Sequence, residues 1–398
     1  MGRRDEYDVA IVGGGAVGLA IATRLRRGAA RALTVAVVDA DTLPLAPDGD
    51  DFALRVSALS PRSARVLGEI WDEIAAARVQ PFVAMRVWDS ASRADAADSV
   101  TFRARDHGLD ALGWIVENDR LRACLAAAAR NLGIELIERR RLDGVDFARR
   151  AAVLSFDDGS SLRARLVVGA DGAGSRVRDL AGIRTSYRDY AQRGFVTHVA
   201  SAKPHESTAW QQFNPDGPMA LLPLPDGRSS VVYSTAAATA RELERLSPAL
   251  LGERLTTAAG GVLGALTVTS AVASFPLTAA HAETYATERC VLAGDAAHRV
   301  HPLAGQGVNL GLADAGVLAD TIGSAAAEGR DPGDLAVLRR FERRRRNDNE
   351  LTLATLEALH RMFTAGDSAV ARFRRGGMAL FERGGELKRA AARHAMGL

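Results

Sequence analysis

Asp295, Gln306 and Asn309 are the hydrogen-bonding side chains in two short runs of small residues, Gly294-Asp295-Ala296-Ala297 and Gly305-Gln306-Gly307-Val308-Asn309, with Pro302 stiffening the turn between them. A carboxylate and two carboxamides can hold the hydroxyls and carbonyls of a polar ligand, and glycine lets the main chain approach it closely. N–H groups left open at a helix start favour electron-rich or anionic oxygens. The same residues would also serve a tight structural turn between a short strand, Cys290 to Ala293, and a Gly/Ala-rich helix. Taken alone, the stretch raises the question of a cofactor without answering it.

A second glycine-rich run stands near the other end of the chain. Tyr7 to Val12 is an apolar strand leading into Gly13-Gly14-Gly15-Ala16-Val17-Gly18, after which Leu19, Ala22 and Leu25 recur at helical spacing. Leu33 to Val38 reads as a second strand and ends in Asp39, 21 positions beyond Gly18. Gly13 permits a tight turn, Gly15 lets the main chain reach a pyrophosphate, and Gly18 permits close helix–strand packing. Asp39 is placed to accept hydrogen bonds from a ribose diol. The complete unit predicts dinucleotide binding, and a purely structural turn leaves Asp39 without a purpose.

Three further residues have two readings each. Leu162 to Val168 runs into Gly169-Ala170-Asp171-Gly172-Ala173-Gly174, followed by Arg176 and Arg178; Asp171 either caps a helix or binds a ribose. Arg55 precedes a helix entry at Ser60-Pro61 and reaches either a cofactor or solvent. Arg120 lies on a helix predicted over Val116 to Asn131, away from the apolar face of Leu121, Cys124, Leu125 and Ala128, and reaches either a phosphate or solvent.

The chain that must position these groups has 398 residues, 25% charged and 47% hydrophobic, the mixture of a soluble globular protein with room for two or three domains. Strands are expected at 81–88 and 99–104. Shorter ones at 194–200, 208–213, 218–224 and 229–234, with a long one at 266–275, read as a largely antiparallel sheet crossed by a helix over 242–255. Trp210, Phe213 and Phe275 either line an apolar pocket in that sheet or pack its core. Cys124 and Cys290, in apolar surroundings, exclude a disulfide framework. No signal-peptide pattern and no run of 18 apolar residues occurs, so the expectation is a cytoplasmic chain with no spanning helix. Zinc-finger spacing and RNA-recognition strand patterns are absent, which argues against nucleic acid as a partner. The net charge of +3 is uneven: residues 339–398 hold 14 Arg or Lys against 7 Asp or Glu, a local +7 that leaves the rest at −4.

Three of these motifs together resemble the class A FAD-dependent aromatic hydroxylases, and within them the ubiquinone-biosynthesis hydroxylase group. GGGAVG with Asp39 resembles the family's adenosine-diphosphate site, VVGADGAGSRVR at 167–178 its DG fingerprint, and LAGDAAHRVHPLAGQGVNLGLADA at 292–315 its GD fingerprint and flavin-binding extension. LRVSALSPRS at 54–63, WIVENDRLR at 114–122 and the terminal AARHAMGL are similar to the ubiquinone group. The resemblance covers nearly the whole chain. It implies an α/β fold: a glutathione-reductase-like FAD-binding Rossmann domain, an interleaved, mainly antiparallel β-sheet substrate domain and a C-terminal helical tail. On this reading residues 1–80, 105–185 and 276–345 form the discontinuous FAD domain, 81–104 and 186–275 the substrate domain, and 346–398 the tail.

The resemblance also implies roles. Gly13, Gly15, Gly18 and Asp39 would hold the adenosine side of FAD, Arg55 and Arg120 its phosphates, and Asp295 the ribityl chain. Asp171 belongs to the DG motif. The backbone of Gly305, Gln306, Gly307, Val308 and Asn309 would lie beside the flavin pyrimidine ring, and Pro302 near its oxygen-reactive face. His298 and His301 stand next to that loop, where they could tune it, relay a proton or be structural; no orienting partner for them is visible in the sequence. NADPH or NADH would serve as transient electron donor, and O2 as oxidant for an electron-rich ring. No metal is expected. The implied substrate is a polyprenylphenol intermediate of ubiquinone biosynthesis. The alternatives are a monooxygenase of another aromatic and a non-catalytic flavin-binding assembly protein.

The last 60 residues carry LRRFERRRR at 338–346, then Leu353, Leu356, Leu359 and Phe363 at helical spacing. An apolar tail of Val370, Phe373, Met378, Leu380 and Phe381 follows, interrupted by Gly376-Gly377. Most of these apolar residues should pack on the FAD domain. Some of the arginines, Arg343 to Arg346 among them, would face anionic lipid of the inner membrane or a ubiquinone-biosynthesis enzyme complex.

Overall fold

A computed structural model of the chain describes residues 6–28, 32–45, 51–76, 78–300, 306–364 and 368–397. Its organising strand is Glu6–Val12, which pairs in parallel with Val35–Val38 on one side and Ser161–Gly169 on the other. Such a strand is buried on both faces, which is why its sequence is a continuous apolar run rather than an alternating one. Glu135–Ile137 extends the sheet beyond Val35–Val38, and Cys290–Leu292 extends it beyond Ser161–Gly169. Register then decides the architecture. Val12 pairs with Gly169, and Gly169 pairs with Leu292, so all three glycine-rich segments leave the sheet at one edge. Ligands of open α/β sheets bind outside the carboxyl ends of the strands, and this edge is such an end.

Helix Ala16–Arg27 buries Leu19, Ile21, Ala22 and Leu25 against the sheet and packs along helix Gln306–Ala327. Residues 51–60 leave this unit and return through a three-stranded sheet of Val56–Leu59, Gly113–Glu117 and Gln80–Phe82.

The second large sheet has nine strands. Its path runs His298–Arg299, Ala273–Ala282, Thr185–Ser201, Ser229–Ala236, Gly217–Pro223, Thr208–Asn214, Ala84–Asp89 and Val100–Arg103, with Leu266–Val268 beside Thr185–Ser201. Every pairing is antiparallel except Thr208–Asn214 with Ala84–Asp89. One face of it, with Phe195, Val199, Met219, Leu221, Val231 and Tyr233, packs on Leu243, Leu251 and Leu255. Strand alternation puts Gly194, Val196, Ala220, Val232 and Phe213 on the other face. That face looks toward residues 51–55, because His198 meets the Ala53 carbonyl at 3.2 Å and the Arg55 guanidinium lies 5.4 Å from the Phe275 ring centre.

Helix Leu335–Thr364 joins the two bodies. Its start buries Val337, Leu338 and Phe341, the last two in the core of the first sheet. Its end carries Leu356 and Phe363 into a cluster with Phe213, Val100, Val300 and Met378, where the Phe213 and Phe363 rings stack with centres 3.5 Å apart. At about 1.5 Å per residue the helix is long enough to span from one core to the other.

Several expected elements come out differently. The helix expected over 242–255 is two, Ala237–Leu243 and Pro248–Ala258, because Pro248 cannot continue a helix and Ser247 caps the new one by accepting from the Leu250 N–H. The strand expected over 266–275 is broken between Leu266–Val268 and Ala273–Ala282. There Thr269 donates to the His198 carbonyl from both N–H and hydroxyl, and Ser270 accepts the His198 N–H. Val116 and Glu117 belong to a strand, and the helix starts at Asn118. Gly376-Gly377 does not interrupt helix Ser368–Arg383. Glycine there costs about 1 kcal/mol per residue, which burial of Met378 and partial burial of Phe381 offset. The boundary drawn at 345/346 falls inside the continuous helix Leu335–Thr364.

Candidate active site

The three turns are stitched to one another by main-chain hydrogen bonds. The Gly13 N–H donates to the Val38 carbonyl at 2.8 Å, Ala170 to Val12 at 2.8 Å and Ala293 to Gly169 at 2.9 Å. Contact is too close for side chains. Gly13 has φ +111, and a Cβ there would lie 2.2 Å from the Ala170 oxygen; a Cβ on Gly18 would lie 2.0 Å from the Gly13 oxygen. Gly15 differs, since a Cβ there would meet nothing within 4 Å. It begins helix Ala16–Arg27 with no side-chain cap, leaving the first-turn N–H groups open toward that space.

Asp39 accepts the Gly14 N–H at 2.5 Å and the Asp41 N–H at 2.9 Å. Arg122 donates to the Gly14 carbonyl at 2.8 Å and stands 3.7 Å from the Asp39 carboxylate. Arg120, expected near the phosphates, instead pairs with Glu117 at 3.3 Å, a carboxylate it shares with Arg78. Two positions, about 200° of helix, separate the two arginines, and Arg122 lies on the face that meets the glycine turn.

Asp171 spends both oxygens locally. It accepts the Ser175 hydroxyl at 2.5 Å and the Val177 N–H at 3.1 Å, bracing the start of helix Arg176–Leu180. Burial pushes its carboxyl above the ordinary range, and these hydrogen bonds pull against that. Its influence on the glycine turn therefore passes through Ala170, whose backbone lies against Gly13.

The third turn holds the most chemistry. Gly294, with φ +61, and Gly311 both pack on Val17; a Cβ on Gly311 would lie 2.5 Å from a Val17 methyl. Asp295 follows with its side chain open to the cleft. The enclosing walls raise its carboxyl pKa, while the charges of His298, Arg299 and Arg55 pull it down. Gln306 begins helix Gln306–Ala327, and Gly307 faces open space. Val308 packs on the core of the first sheet. Asn309 accepts from the Ser60 N–H at 2.9 Å and the Ser63 hydroxyl at 2.6 Å, and donates to the Ala58 carbonyl at 2.8 Å. Its carboxamide thus braces the loop, leaving the backbone to face a ligand. Pro302, Gly305 and His301 lie outside the described residues.

His298 has the orienting partner that the sequence did not reveal. Its Nε2 lies 2.5 Å from Asp314, which is fully buried on helix Gln306–Ala327. Asp314 also accepts the Gly294 N–H at 3.0 Å and pairs with the buried Arg345 at 2.7 Å. Burial raises the Asp314 carboxyl, but His298 and Arg345 outweigh it and hold it far below the usual range. Asn349 and Tyr285 complete the group, 3.2 Å apart, and His281 reaches the Tyr285 hydroxyl at 2.8 Å. A signal for Asp314 existed: it is an acid within the otherwise apolar run LGLADAGVL, and a buried charge must be paired. Nothing in the sequence singled out Arg345 from its neighbours. Among the described residues no cluster could hold a metal ion.

Comparison with known proteins accords with this geometry. The family described as FAD binding domain matches residues 6–352. The chain is 38% identical to the ubiquinone hydroxylase UbiL of Rhodospirillum rubrum, covering 98% of this chain and 89% of that protein. It is 35% identical to the 3-demethoxyubiquinol 3-hydroxylase of Escherichia coli, covering 98% of each. Among solved structures it is similar to p-nitrophenol 4-monooxygenase PnpA of Pseudomonas putida, with TM-score 0.78, 20% identity and 99% of each chain covered. PqsL of Pseudomonas aeruginosa gives TM-score 0.76 at 24% identity, covering 94% of this chain and 99% of that one. At these identities the two structures establish the fold alone.

The residues fit FAD. Open N–H groups at Gly15 suit a pyrophosphate, Asp39 and Asp295 suit hydroxyl groups, and the cleft between them is bounded by glycines. Asp295→Ala should therefore weaken FAD binding by about 1.5–3 kcal/mol, the range for a hydrogen bond to a charged group, measured by flavin fluorescence titration. Asp39→Ala should act in the same direction. Because the Asp295 pKa is raised, acidification protonates it early: FAD affinity should fall as pH drops through that raised value, and Asp295→Asn should flatten the dependence.

Proposed function

The chain belongs to the FAD-binding-domain family, together with the ubiquinone-biosynthesis hydroxylases, and from that premise we propose that it hydroxylates the aromatic ring of a polyprenylphenol intermediate of ubiquinone biosynthesis, with O2 as oxidant and a reduced nicotinamide as electron donor. The observation that carries the reading is the meeting of three glycine-rich turns at one sheet edge, with Asp295 and Arg55 directed into the space between that edge and the open face of the second sheet.

Bound FAD supplies the electron storage and oxygen activation that amino-acid side chains lack. The chain's own residues hold and orient. The Gly15 N–H region would take the pyrophosphate, Asp39 the adenosine ribose and Asp295 the ribityl hydroxyls. Arg55, tethered over Phe275, would neutralise phosphate charge, and Arg122 fixes the Gly14 carbonyl and Asp39. Arg120, through Glu117, supports the start of the same helix. The main chain at the start of helix Gln306–Ala327, residues 306–309, would take the pyrimidine edge of the flavin. His298, its Nε2 engaged by Asp314, acts on the electrostatics of Asp295 rather than on substrate.

The aromatic ring would lie against the open sheet face, on Ala220, Val232, Gly194 and Phe275. Apolar walls there exclude water from the reacting ring. The stacked Phe213 and Phe363 with Val300 close one end of that face. With a short-tailed substrate under 18O2, one labelled oxygen should enter the product ring. Label arriving from water instead would refute a monooxygenase reaction.

The substrate tail sets a second requirement, since each CH2 exposed to water costs about 0.8 kcal/mol. No helix among the described residues is long and apolar enough to cross a membrane. We infer peripheral contact with anionic lipid through helix Leu335–Thr364. Arg344 and Leu351, seven positions apart, share one helix face and are both exposed, and Arg343 adjoins them. The four-arginine run does not act as a single surface: Arg345 is buried and Arg346 pairs with Glu350 at 3.0 Å. Flotation with anionic vesicles should be lost as salt rises. Arg343→Glu with Arg344→Glu should reduce flotation and leave FAD content intact; unchanged flotation would reject this face.

A further inference from the structure

The long helix that joins the two bodies places a guanidinium inside the protein. Arg345 is 1% exposed, and its Nε donates to Asp314 Oδ1 at 2.7 Å. Its remaining nitrogens reach Asp348 at 3.0 Å, Asn349 at 2.7 Å and the Leu310 carbonyl at 3.4 Å. The second oxygen of Asp314, Oδ2, accepts the Gly294 N–H at 3.0 Å and faces His298 Nε2 at 2.5 Å. One carboxylate therefore connects the helix Leu335–Thr364 to the backbone immediately before Asp295. Gly294 has φ +61 and its Cα side is closed by Val17, so the turn has little freedom except through that N–H.

A carboxylate buried this deeply stays ionised only beside a counter-charge. The groups facing it are His298 from strand His298–Arg299, Arg345 and Asn349 from the long helix, and the Gly294 N–H, with Tyr285 behind Asn349. Asp348 compensates part of the Arg345 charge from the solvent side. Without Arg345, Asp314 would either take a proton or turn wholly to His298, and in both cases its grip on Gly294 would change.

We propose that Arg345 is a positioning residue for the cofactor: by fixing Asp314 from behind, it sets the Gly294 turn and so aims the Asp295 carboxylate at the flavin ribityl chain. The inference rests on the assignment of Asp295 to FAD, and its test separates the two. Apo-protein of the full chain is titrated with FAD, recording affinity and the visible band of the bound flavin, for wild type, Arg345→Met, Arg345→Lys, Asp314→Asn and Leu338→Ala. Leu338, buried on the same helix seven positions before Arg345 and carrying no polar group, reports general loss of helix packing.

Arg345→Met and Asp314→Asn should weaken FAD by about tenfold or more, the effect of losing one charge-assisted hydrogen bond, and shift the flavin band. Arg345→Lys, which keeps a charged donor, should recover part of both. Leu338→Ala should lower the unfolding midpoint and leave affinity and band unchanged. Unchanged affinity and band in folded Arg345→Met, or a Leu338→Ala variant that reproduces its losses, would overturn the proposal. Should Arg345→Met fail to fold, Arg345→Lys and Asp314→Asn decide: wild-type affinity in both overturns it. Wild-type protein that binds no FAD would instead refute the cofactor assignment.

Discussion

Parallel strands pair in one register, and here that register brings Val12, Gly169 and Leu292 side by side. Everything at the site follows from those three strand ends coinciding. The turns that leave them are so close that Gly13 and Gly18 have no room for a methyl group, and the Gly13 carbonyl sits where a Gly18 side chain would begin. Val17 is the wedge between them. It projects from the first helix into the gap left by Gly294 and Gly311, so the amino-terminal unit and the segment near residue 300 read each other's shape directly. Glycine is thus required at some positions by contact with protein. At Gly15 and Gly307 the space is open, which is where a ligand can come near the main chain.

Among the described residues, the second sheet adds no further glycine-rich turn at this edge. Its role is geometric: one face is sealed by Leu243, Leu251 and Leu255, and the other is left to look at the cleft. Helix Leu335–Thr364 then relates the two bodies through three kinds of contact. Apolar burial at Leu338 and Phe341 anchors it, a buried ion pair at Arg345 reaches the Gly294 turn through Asp314, and the Phe213–Phe363 stack closes the far end. Within four successive arginines, Arg343 and Arg344 meet solvent while Arg345 is enclosed. Charge count alone would assign them a single task; helical phase divides them.

Much of this was legible in the sequence where a local rule acts alone. The strand–GxGxxG–helix–strand unit ending at Asp39 and the Ser60 cap are short-range patterns, and the elements they predict form there. The antiparallel sheet was legible as a set of short strands, though not the length of Thr185–Ser201 or the break at 269–272, which depends on side chains of Thr269 and Ser270 bonding across to His198. What stayed hidden was long-range pairing. Asp314 and Arg345 are 31 positions apart, and Gly14 and Arg122 are 108 apart, so no spacing rule connects them. Arg120 and Arg122 were indistinguishable by type, and helix phase separated them. A lone acid in an apolar helix was the one available clue to the buried network, and it named Asp314 without naming its partner.

The shared edge of Val12, Gly169 and Leu292 is where we propose FAD binds. The most direct test is the flavin content of the purified full-length chain, measured from the absorbance of protein-bound and released flavin and identified by chromatography after denaturation. The structure predicts a yellow protein with stoichiometric FAD that releases it on unfolding and takes it up again on refolding. A colourless, folded protein that binds no FAD on reconstitution would rule out an FAD site at this edge.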